Sequence, residues 1–337
     1  MKVAIYNGLG GISVEEKAVP EIRETDVLVR NLRAGICGTD INIVKAGSEM
    51  GIRYGAEFGH EMVSKVVEVG KMVSPDIKVG MIVGVNPITA KRAGRSYSLE
   101  CGGFSQYIVV EDAKLDYNLY EMNPDVPLET MALMEPMSVG RHGAFRTNPK
   151  PTDKIVVLGA GPIGLSAAAS LIAEGMKNVC VVDMDQWRLE KAKEIGAQSL
   201  NTSTQSLSEG LAAIFGETDS YGHKVPDVDI YIDAAGAPAL FIEIMKWVKH
   251  GARISLIAVY KTQVPLNLSQ VMSKEVVILG SSGYTHEDIK AVVGYINNNE
   301  TKIGNTVSKV YRLDNIQEAF QVAIEAKKVI KVIIDME

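Results

Sequence analysis

The sequence has too few cysteines for a disulfide framework. Only three occur in 337 residues, Cys37, Cys101 and Cys180, and they are widely scattered. Disulfide-stabilised secreted domains carry a dense and usually even set of cysteines. The pattern is typical of a reducing compartment, so we expect a cytoplasmic protein. Cys180 stands in an apolar run, and we interpret it as a small core residue.

The chain also lacks long basic runs, and its formal net charge is −6. Nucleic acids and anionic membranes attract basic surfaces, so we expect neither as a partner. The first residues, Met1 to Tyr6, read as a strand and lack the apolar stretch and cleavage site of a secretory signal.

One stretch of 19 residues, Ile155 to Ala173, carries no charge, and its length alone makes it a marginal transmembrane candidate. The glycines and the proline within it favour a strand and a helix joined by a tight turn. The apolar strand runs directly into Gly-x-Gly-x-x-Gly, formed by Gly159, Gly161 and Gly164. This pattern predicts a dinucleotide-binding turn, the alternative being a glycine turn that holds no ligand.

A second apolar run ends at Asp183, 19 residues after Gly164. Dinucleotide-binding folds place a carboxylate there to hold the ribose hydroxyls, and the nearby helix N-terminus takes the pyrophosphate. A carboxylate would repel the 2′-phosphate of NADP. We therefore expect NAD as the cofactor.

The pattern of strands and helices predicts an α/β protein with two domains. From Met1 to about Val110, short strands such as Val27 to Leu32 and Glu61 to Val69, separated by Gly, Pro and Asp, are typical of an all-β barrel or sandwich. From about Arg141 to Gly280, strands such as Ile230 to Asp233 alternate with helical patterns, which predicts a doubly wound parallel sheet. The tail ends in an apolar run, Val329 to Ile334, that we expect to return to the first domain as a strand.

Four residues of the first domain are of the types that bind zinc: Cys37, His60, Glu61 and Glu135. Three protein ligands with an open fourth position form a catalytic zinc site. The 23-residue separation of Cys37 and His60 has no local metal geometry. Two interpretations therefore stay open from the residues alone, a zinc site or a buried cysteine with a hydrogen-bonded histidine.

The combination of motifs resembles the zinc-dependent medium-chain dehydrogenase/reductase family and is most similar to its sorbitol (polyol) dehydrogenase branch. The motifs are Gly-Ile-Cys-Gly-Thr-Asp (35–40), Gly-His-Glu (59–61), Gly-Gly-Phe-Ser-Gln-Tyr (102–107), Glu-Pro-Met-Ser-Val-Gly (135–140) and Gly-Ala-Gly-Pro-Ile-Gly (159–164). The resemblance implies a GroES-like β-barrel catalytic domain of residues 1–140, completed by 285–337. It also implies a Rossmann NAD-binding domain of residues 141–284, and a homodimer or homotetramer.

The resemblance implies roles for single residues. Cys37 and His60 match zinc ligands, and Glu61 or Glu135 matches the third ligand. Asp40 matches a carboxylate that orients the zinc histidine. Thr39 matches a hydroxyl that hydrogen-bonds the substrate oxygen and passes its proton outward.

The cofactor-binding residues are predicted from three sources. The first is the glycine motif, and the second is the resemblance, which places Arg188 beside the adenosine ribose. The third is the strand ends, because ligands bind there in parallel sheets. The predicted residues are Gly159, Gly161, Pro162, Ile163, Gly164, Asp183, Arg188, Ala235, Gly236, Ile257, Ala258, Ser281 and Ser282.

We therefore expect a zinc- and NAD-dependent dehydrogenase of a secondary alcohol, either a polyol, a sugar or a sugar acid. The same architecture also hosts nucleotide-binding proteins without catalysis and zinc-free reductases of activated double bonds. The retained zinc-ligand types argue against both alternatives.

The sequence departs from the family at two places. Many members carry a four-cysteine lobe that holds a structural zinc, but residues 86–101 contain one cysteine, Cys101. We expect one catalytic zinc per chain and no structural zinc. Asn42 stands where many relatives have a histidine that completes a proton relay, and an amide does not titrate near neutrality.

Three further features of the sequence lead to predictions. Lys91, Arg92 and Arg95 form a basic cluster that either captures an acidic or phosphorylated substrate or is a solvated loop face. His142 we interpret as structural. The apolar segments Arg253 to Val259 and Leu266 to Val277 are candidate surfaces for self-association.

Overall fold

A computed structural model describes residues 1–46, 51–92, 95–96 and 99–337, with the backbone alone at residues 91, 92, 95 and 96. The chain divides into two compact units. Unit 1 consists of Met1–Pro136, Ile289–Glu300 and Thr306–Glu337. Unit 2 consists of Met137–Asp288 and Thr301–Asn305.

The strands are short and spread over both units. They are β1 (Lys2–Tyr6), β2 (Ile12–Glu16), β3 (Val27–Gly35), β4 (Glu61–Val69), β5 (Ile82–Val85), β6 (Lys91–Arg92), β7 (Arg95–Ser96), β8 (Tyr107–Val110), β9 (Leu119–Glu121), β10 (Lys154–Leu158), β11 (Asn178–Asp183), β12 (Gln198–Asn201), β13 (Glu217–Ser220), β14 (His223–Pro226), β15 (Ile230–Asp233), β16 (Arg253–Leu256), β17 (Val277–Gly280), β18 (Val307–Arg312) and β19 (Lys331–Asp335).

The helices lie mainly in unit 2. They are α1 (Gly38–Ala46), α2 (Leu128–Met131), α3 (Met134–Phe145), α4 (Pro162–Ala173), α5 (Gln186–Glu194), α6 (Leu207–Phe215), α7 (Pro238–Trp247), α8 (Leu268–Ser273), α9 (His286–Asn297) and α10 (Ile316–Glu325), with short 3₁₀ turns at Ile303–Thr306 and Leu313–Asn315. No helix in the described ranges is long and apolar enough to cross a membrane.

Unit 1 is built on a seven-stranded sheet of order β18-β19-β3-β4-β5-β9, with β8 also paired to β3. Strand β3 is the central strand, because it pairs antiparallel with β4, β8 and β19. The expected return of the C-terminal run to the first domain is therefore confirmed. The observed β3 extends three residues beyond the predicted strand Val27 to Leu32, because its last residues pair with both β4 and β19.

Unit 2 holds a six-stranded parallel sheet of order β12-β11-β10-β15-β16-β17. This is the order of a doubly wound dinucleotide-binding fold, in which the first strand lies beside the second and the fourth. The predicted doubly wound sheet is thus confirmed. On one side of the sheet, the apolar face of β10, β11, β15 and β16 packs against α6 and α7, and the residues of the other face are buried as well.

Candidate active site

Cys37 stands at the turn between β3 and α1. Its carbonyl oxygen accepts a hydrogen bond from the Ile41 amide at 3.2 Å, so it closes the first turn of α1. Its own amide donates to Oδ2 of Asp40 at 2.8 Å. This is the backward hydrogen bond by which an acidic residue in the first turn stabilises a helix N-terminus. The local sequence therefore fixes Cys37 and Asp40 together.

His60 and Glu61 arrive from the start of β4, where Glu61 is in register with Gly35 of β3. A Cβ atom at Gly35 would lie 2.1 Å from Oε2 of Glu61. Only glycine leaves room for that carboxylate, and this is why the Gly-Ile-Cys motif begins with one.

The side chains of Cys37, His60 and Glu61 converge, because their candidate ligand atoms all lie within 4.8 Å of one another. Nδ1 of His60 lies 3.5 Å from Oδ1 of Asp40. Both atoms are buried, and neither has a hydrogen-bond partner in the described part of the chain. A thiol, an imidazole and a carboxylate are the donor types of a zinc site, so these residues fit the metal.

Sequence reasoning missed Lys331 of β19, which completes this cluster. Its Nζ donates to both carboxylate oxygens of Glu61, at 2.9 and 2.6 Å, and to the carbonyl oxygen of Ile36 at 3.2 Å. Lys331 is only 2% exposed and Glu61 is fully buried. A lysine within an apolar run is the signal that the sequence offers, but the sequence does not identify its partner.

Burial and neighbouring charges shift the pKa values of His60, within the cluster, and of Glu135, outside it. Burial opposes the charged form of His60, but Asp40 and then Cys37 outweigh burial and raise the pKa of His60 well above its usual range. Burial, reinforced by Glu61 and opposed by His60, raises the pKa of Glu135 to about 7. Such shifts are typical of functional sites.

The remaining predicted site residues of unit 1 are placed as follows. Glu135 lies in the first turn of α3 and is 9% exposed, but it is not in the three-residue cluster. Thr39 is half-buried and Asn42 is exposed, both on α1. The side chains of Lys91, Arg92 and Arg95 lie outside the described residues.

In unit 2, Asp183 ends β11 beside the glycine turn. Its Oδ2 accepts a hydrogen bond from the Ala160 amide at 2.7 Å, and its Oδ1 accepts from the amides of Met184 and Asp185 at 2.7 and 2.9 Å. A Cβ atom at Gly164 would lie 1.9 Å from the carbonyl oxygen of Gly159. The glycine turn and the acid are therefore held together.

A cavity of about 510 Å³ opens at this edge of the sheet. Of the predicted cofactor residues, Gly159, Asp183 and Ala235 line it, and the lining does not include Gly161, Pro162, Ile163, Gly164 or Arg188. Sequence reasoning missed the residues that the end of β11, α6, α7 and neighbouring loops contribute. They are Val182, Met184, Thr202, Gln205, Ser206, Leu207, Ala237, Ala239, Leu240 and Glu243.

The ends of β15 and β16 are tied by Asp233, which is fully buried. Its Oδ1 accepts hydrogen bonds from the amides of Ala235 and Gly236 at 3.0 and 2.9 Å, and its Oδ2 accepts one from the Tyr260 hydroxyl. Its carbonyl oxygen accepts from the amides of Ile257 and Ala258 at 2.9 and 3.0 Å. The four predicted residues at these strand ends thus share one anchor.

Beyond β17, Ser281 and Ser282 follow the strand end. Oγ of Ser281 is buried and has no hydrogen-bond partner among the residues that the structure describes, whereas Ser282 is exposed. A buried hydroxyl without a partner is a position at which a bound ligand can satisfy a hydrogen bond.

His142 lies in a network around Asp288. Its Nδ1 is 2.8 Å from Oδ2 of Asp288, and Arg141 and Thr285 also donate to that carboxylate. The interpretation of His142 as a structural residue agrees with these contacts.

Comparison with known proteins identifies the family. Residues 23–117 match the alcohol dehydrogenase GroES-like domain, and residues 162–298 match the zinc-binding dehydrogenase domain. The chain is 30% identical over 350 residues to the sorbitol dehydrogenase of Bacillus subtilis (strain 168), covering 97% of this chain and 94% of that protein.

Two further relatives extend the comparison. An L-threonine 3-dehydrogenase of Paraburkholderia phytofirmans is 27% identical over 342 residues, covering 96% of each protein. A crystal structure described as a short chain alcohol dehydrogenase from E. coli CFT073, complexed with NADH, superposes with a TM-score of 0.84 at 25% identity. The superposition covers 100% of this chain and 99% of the E. coli chain. The chain therefore belongs to the zinc-dependent medium-chain dehydrogenase/reductase family, in the branch of the sorbitol dehydrogenases, and is an alcohol dehydrogenase.

Proposed function

We propose that the protein transfers a hydride between a secondary alcohol of the polyol, sugar or sugar-acid class and NAD. The observation that carries the proposal is the convergence of Cys37, His60 and Glu61 within 4.8 Å. Unit 1 is assigned the substrate chemistry, and unit 2 is assigned the cofactor.

The zinc ligands are assigned to Cys37, His60 and one of two carboxylates, Glu61 or Glu135. Glu61 is favoured by its place in the cluster, although both of its oxygens accept hydrogen bonds from Lys331. When bound, zinc supplies a Lewis acid that lowers the pKa of an alcohol.

The chain's own residues prepare the site for that chemistry. Oδ1 of Asp40 lies 3.5 Å from Nδ1 of His60, and Asp40 is assigned to orient the imidazole so that its other nitrogen is left for the metal. Lys331 balances the charge of Glu61, which would otherwise be costly to bury. Oγ1 of Thr39 is assigned to accept the proton of the substrate hydroxyl and pass it outward.

Asn42 is not able to continue this relay by titration, because an amide neither gains nor loses a proton near neutrality. The proton is therefore assigned to leave from Thr39, which is half-buried, through water or through the nicotinamide ribose hydroxyls. An Asn42→His variant should therefore alter the pH dependence of turnover. An unchanged pH–rate profile would contradict any role for this position.

NAD is assigned to the glycine turn, Asp183 and the strand ends of unit 2, and it supplies the hydride acceptor. The NADH complex of the E. coli relative supports this choice. Among the described residues that line the cavity there is no lysine, arginine or histidine to pair with a 2′-phosphate, and Asp183 would repel one. The dinucleotide is therefore NAD rather than NADP.

Self-association is assigned to the edge of the unit 2 sheet. Strand β17 is an edge strand, and α8 buries none of its residues. The exposed apolar side chains there include Val259, Leu268 and Met272, which are 86%, 71% and 71% exposed. Exposed edges and apolar patches mark interaction surfaces, so we expect a homodimer or homotetramer. The three free cysteines agree with a cytoplasmic enzyme.

The decisive experiment measures metal content without added zinc together with NAD reduction. The panel should contain polyols, aldonates, sugar phosphates and L-threonine, assayed before and after chelation. We expect about one zinc per chain and turnover that chelation abolishes. Bound NADH without zinc or turnover would favour a nucleotide-binding protein, and chelator-resistant reduction of activated double bonds would favour a zinc-free reductase.

A further inference from the structure

Helix α7 contributes one acidic residue to the lining of the cavity in unit 2. Glu243 lines the cavity together with Ala239 and Leu240. Residues three and four positions apart lie on one face of a helix, so these three share a face. Phe241 stands two positions before Glu243, which places it on the opposite side of α7, and it is buried in the core. The fold of α7 therefore directs Glu243 to the cavity rather than to the core.

Glu243 is half-buried as a residue, and no hydrogen bond or ion pair joins its side chain to the described ranges of the chain. Asp183, the other ionisable group of the lining, already accepts hydrogen bonds from three backbone amides. Since Asp183 is assigned to the ribose hydroxyls, Glu243 is the second charged acceptor of the described lining and is available for a donor on the base.

The rest of the lining fits a flat heterocycle. Met184, Leu207 and Leu240 supply apolar surface, as is usual where a protein holds an aromatic ligand. In a doubly wound sheet the acid after the second strand marks the adenosine ribose. The cavity that continues from Asp183 to α6 and α7 is accordingly the place for the base.

The edge of adenine presents an exocyclic 6-amino group as a donor, with ring nitrogens that only accept. An ionised carboxylate accepts and never donates. Of the groups on that edge, the amino group alone is complementary to Glu243.

We propose that Glu243 recognises the 6-amino group of adenine and thereby selects an adenine dinucleotide over its hypoxanthine analogue. The inference rests on the proposed function, in which NAD is the cofactor. In hypoxanthine a carbonyl oxygen replaces the 6-amino group, and the donor moves to N1. A carboxylate placed against the 6-position then faces another acceptor, and a site built for a hydrogen bond at that position disfavours an analogue that lacks the donor there.

The test titrates the zinc-loaded, full-length protein with NADH and with nicotinamide hypoxanthine dinucleotide (reduced), following nicotinamide fluorescence. We expect the hypoxanthine analogue to bind about five- to tenfold more weakly, the effect being limited by the partial exposure of Glu243. In Glu243→Gln the side chain can donate to a carbonyl, so the ratio of the two Kd values should fall to about one or below.

Glu209→Gln is the matched control, because Glu209 is exposed in the first turn of the neighbouring α6 and does not line the cavity. It should keep the ratio of the unaltered protein. Equal affinities of the unaltered protein for the two dinucleotides would overturn the inference. A ratio of Kd values in Glu243→Gln as large as that of the unaltered protein would overturn it too. Either result would leave NAD as the cofactor. Failure to bind either dinucleotide would overturn the proposed function along with the inference.

Discussion

Nζ of Lys331 lies 2.6 and 2.9 Å from the two carboxylate oxygens of Glu61, although the two residues are 270 positions apart in the chain. Both side chains are removed from water, and a buried carboxylate is tolerated only when it is paired. The C-terminal strand β19 therefore contributes a charge to a cluster whose other members come from β3, α1 and β4. This explains why the strand must return to unit 1 for the site to be complete.

Lys331→Met should destabilise the metal-free protein by about 3–5 kcal/mol, because it leaves the Glu61 carboxylate buried without a partner. Urea unfolding after chelation measures this loss. The double variant Glu61→Gln, Lys331→Met should recover much of it, since neither charge remains. Zinc should stabilise Lys331→Met more than it stabilises the unaltered protein, because the metal compensates the unpaired carboxylate.

Lys2→Met is the matched control for the loss of a lysine ion pair. Lys2 pairs with Asp314 at 2.7 Å, but the two side chains are 42% and 51% exposed. Exposed pairs contribute less than about 1 kcal/mol. Equal losses of stability in Lys331→Met and Lys2→Met would show that the buried ion pair contributes no more than the exposed one.

Cys37→Ser should lower the zinc content well below one per chain and reduce alcohol oxidation by more than about tenfold, since a hydroxyl is a poor substitute for a zinc-binding thiolate. NADH binding, measured by fluorescence, should persist because the glycine turn lies in unit 2. Cys180→Ser is the control. Burial raises the pKa of Cys180 to about 12, so this thiol stays protonated, and the variant should keep its zinc.

Gly164→Ala and Gly161→Ala should separate folding from cofactor binding. A Cβ atom at Gly164 would meet a backbone oxygen at 1.9 Å, and such overpacking costs about 1–3 kcal/mol of stability. Gly161 is extended, with φ −78° and ψ −179°, and a Cβ atom there meets nothing within 4 Å. Gly161→Ala should keep its stability but weaken NADH binding, because the added methyl fills the approach of the pyrophosphate. Unchanged NADH affinity in Gly161→Ala would contradict this position for the cofactor.

Many of the strands are predictable from the sequence, because apolar runs bounded by turn residues mark strands. The prediction is less accurate where pairing with a distant strand lengthens the observed strand. The predicted strands Glu61 to Val69 and Ile230 to Asp233 coincide with β4 and β15. Strand β3 is longer than predicted. Its last residues, ending at Gly35, are held by pairing with β19 and β4, which no local pattern reveals.

The candidate site is predictable in part for the same reason. Cys37 and His60 stand in motifs with a recognisable family resemblance, but Lys331 stands in an apolar run and acquires its role only through a distant partner. The cavity residues of α6 and α7, Glu243 among them, are brought to Asp183 by the packing of separate βα units. Proximity of that kind is a property of topology rather than of spacing along the chain.

Asp288→Asn should make the free energy of unfolding depend less on pH in the acid range. Burial alone would raise the pKa of Asp288, but hydrogen bonds from Thr285, His142 and Arg141 outweigh burial and hold it below its usual range. A carboxyl whose pKa is lower in the folded state contributes stability that is complete above the unfolded pKa, near 4 for aspartate. That contribution disappears as the pH falls through the folded pKa, because the folded protein must then bind the proton as well.

At neutral pH we therefore expect Asp288→Asn to lose about 2–4 kcal/mol, since Arg141 and His142 are left with a weaker partner. The difference from the unaltered protein should narrow as the pH falls below about 4. Urea unfolding at several pH values checks both statements. Asp314→Asn, which removes the exposed partner of Lys2, should show a small and nearly constant difference. A difference for Asp288→Asn that is constant across the same range would mean that its carboxyl does not titrate differently in the folded and unfolded protein.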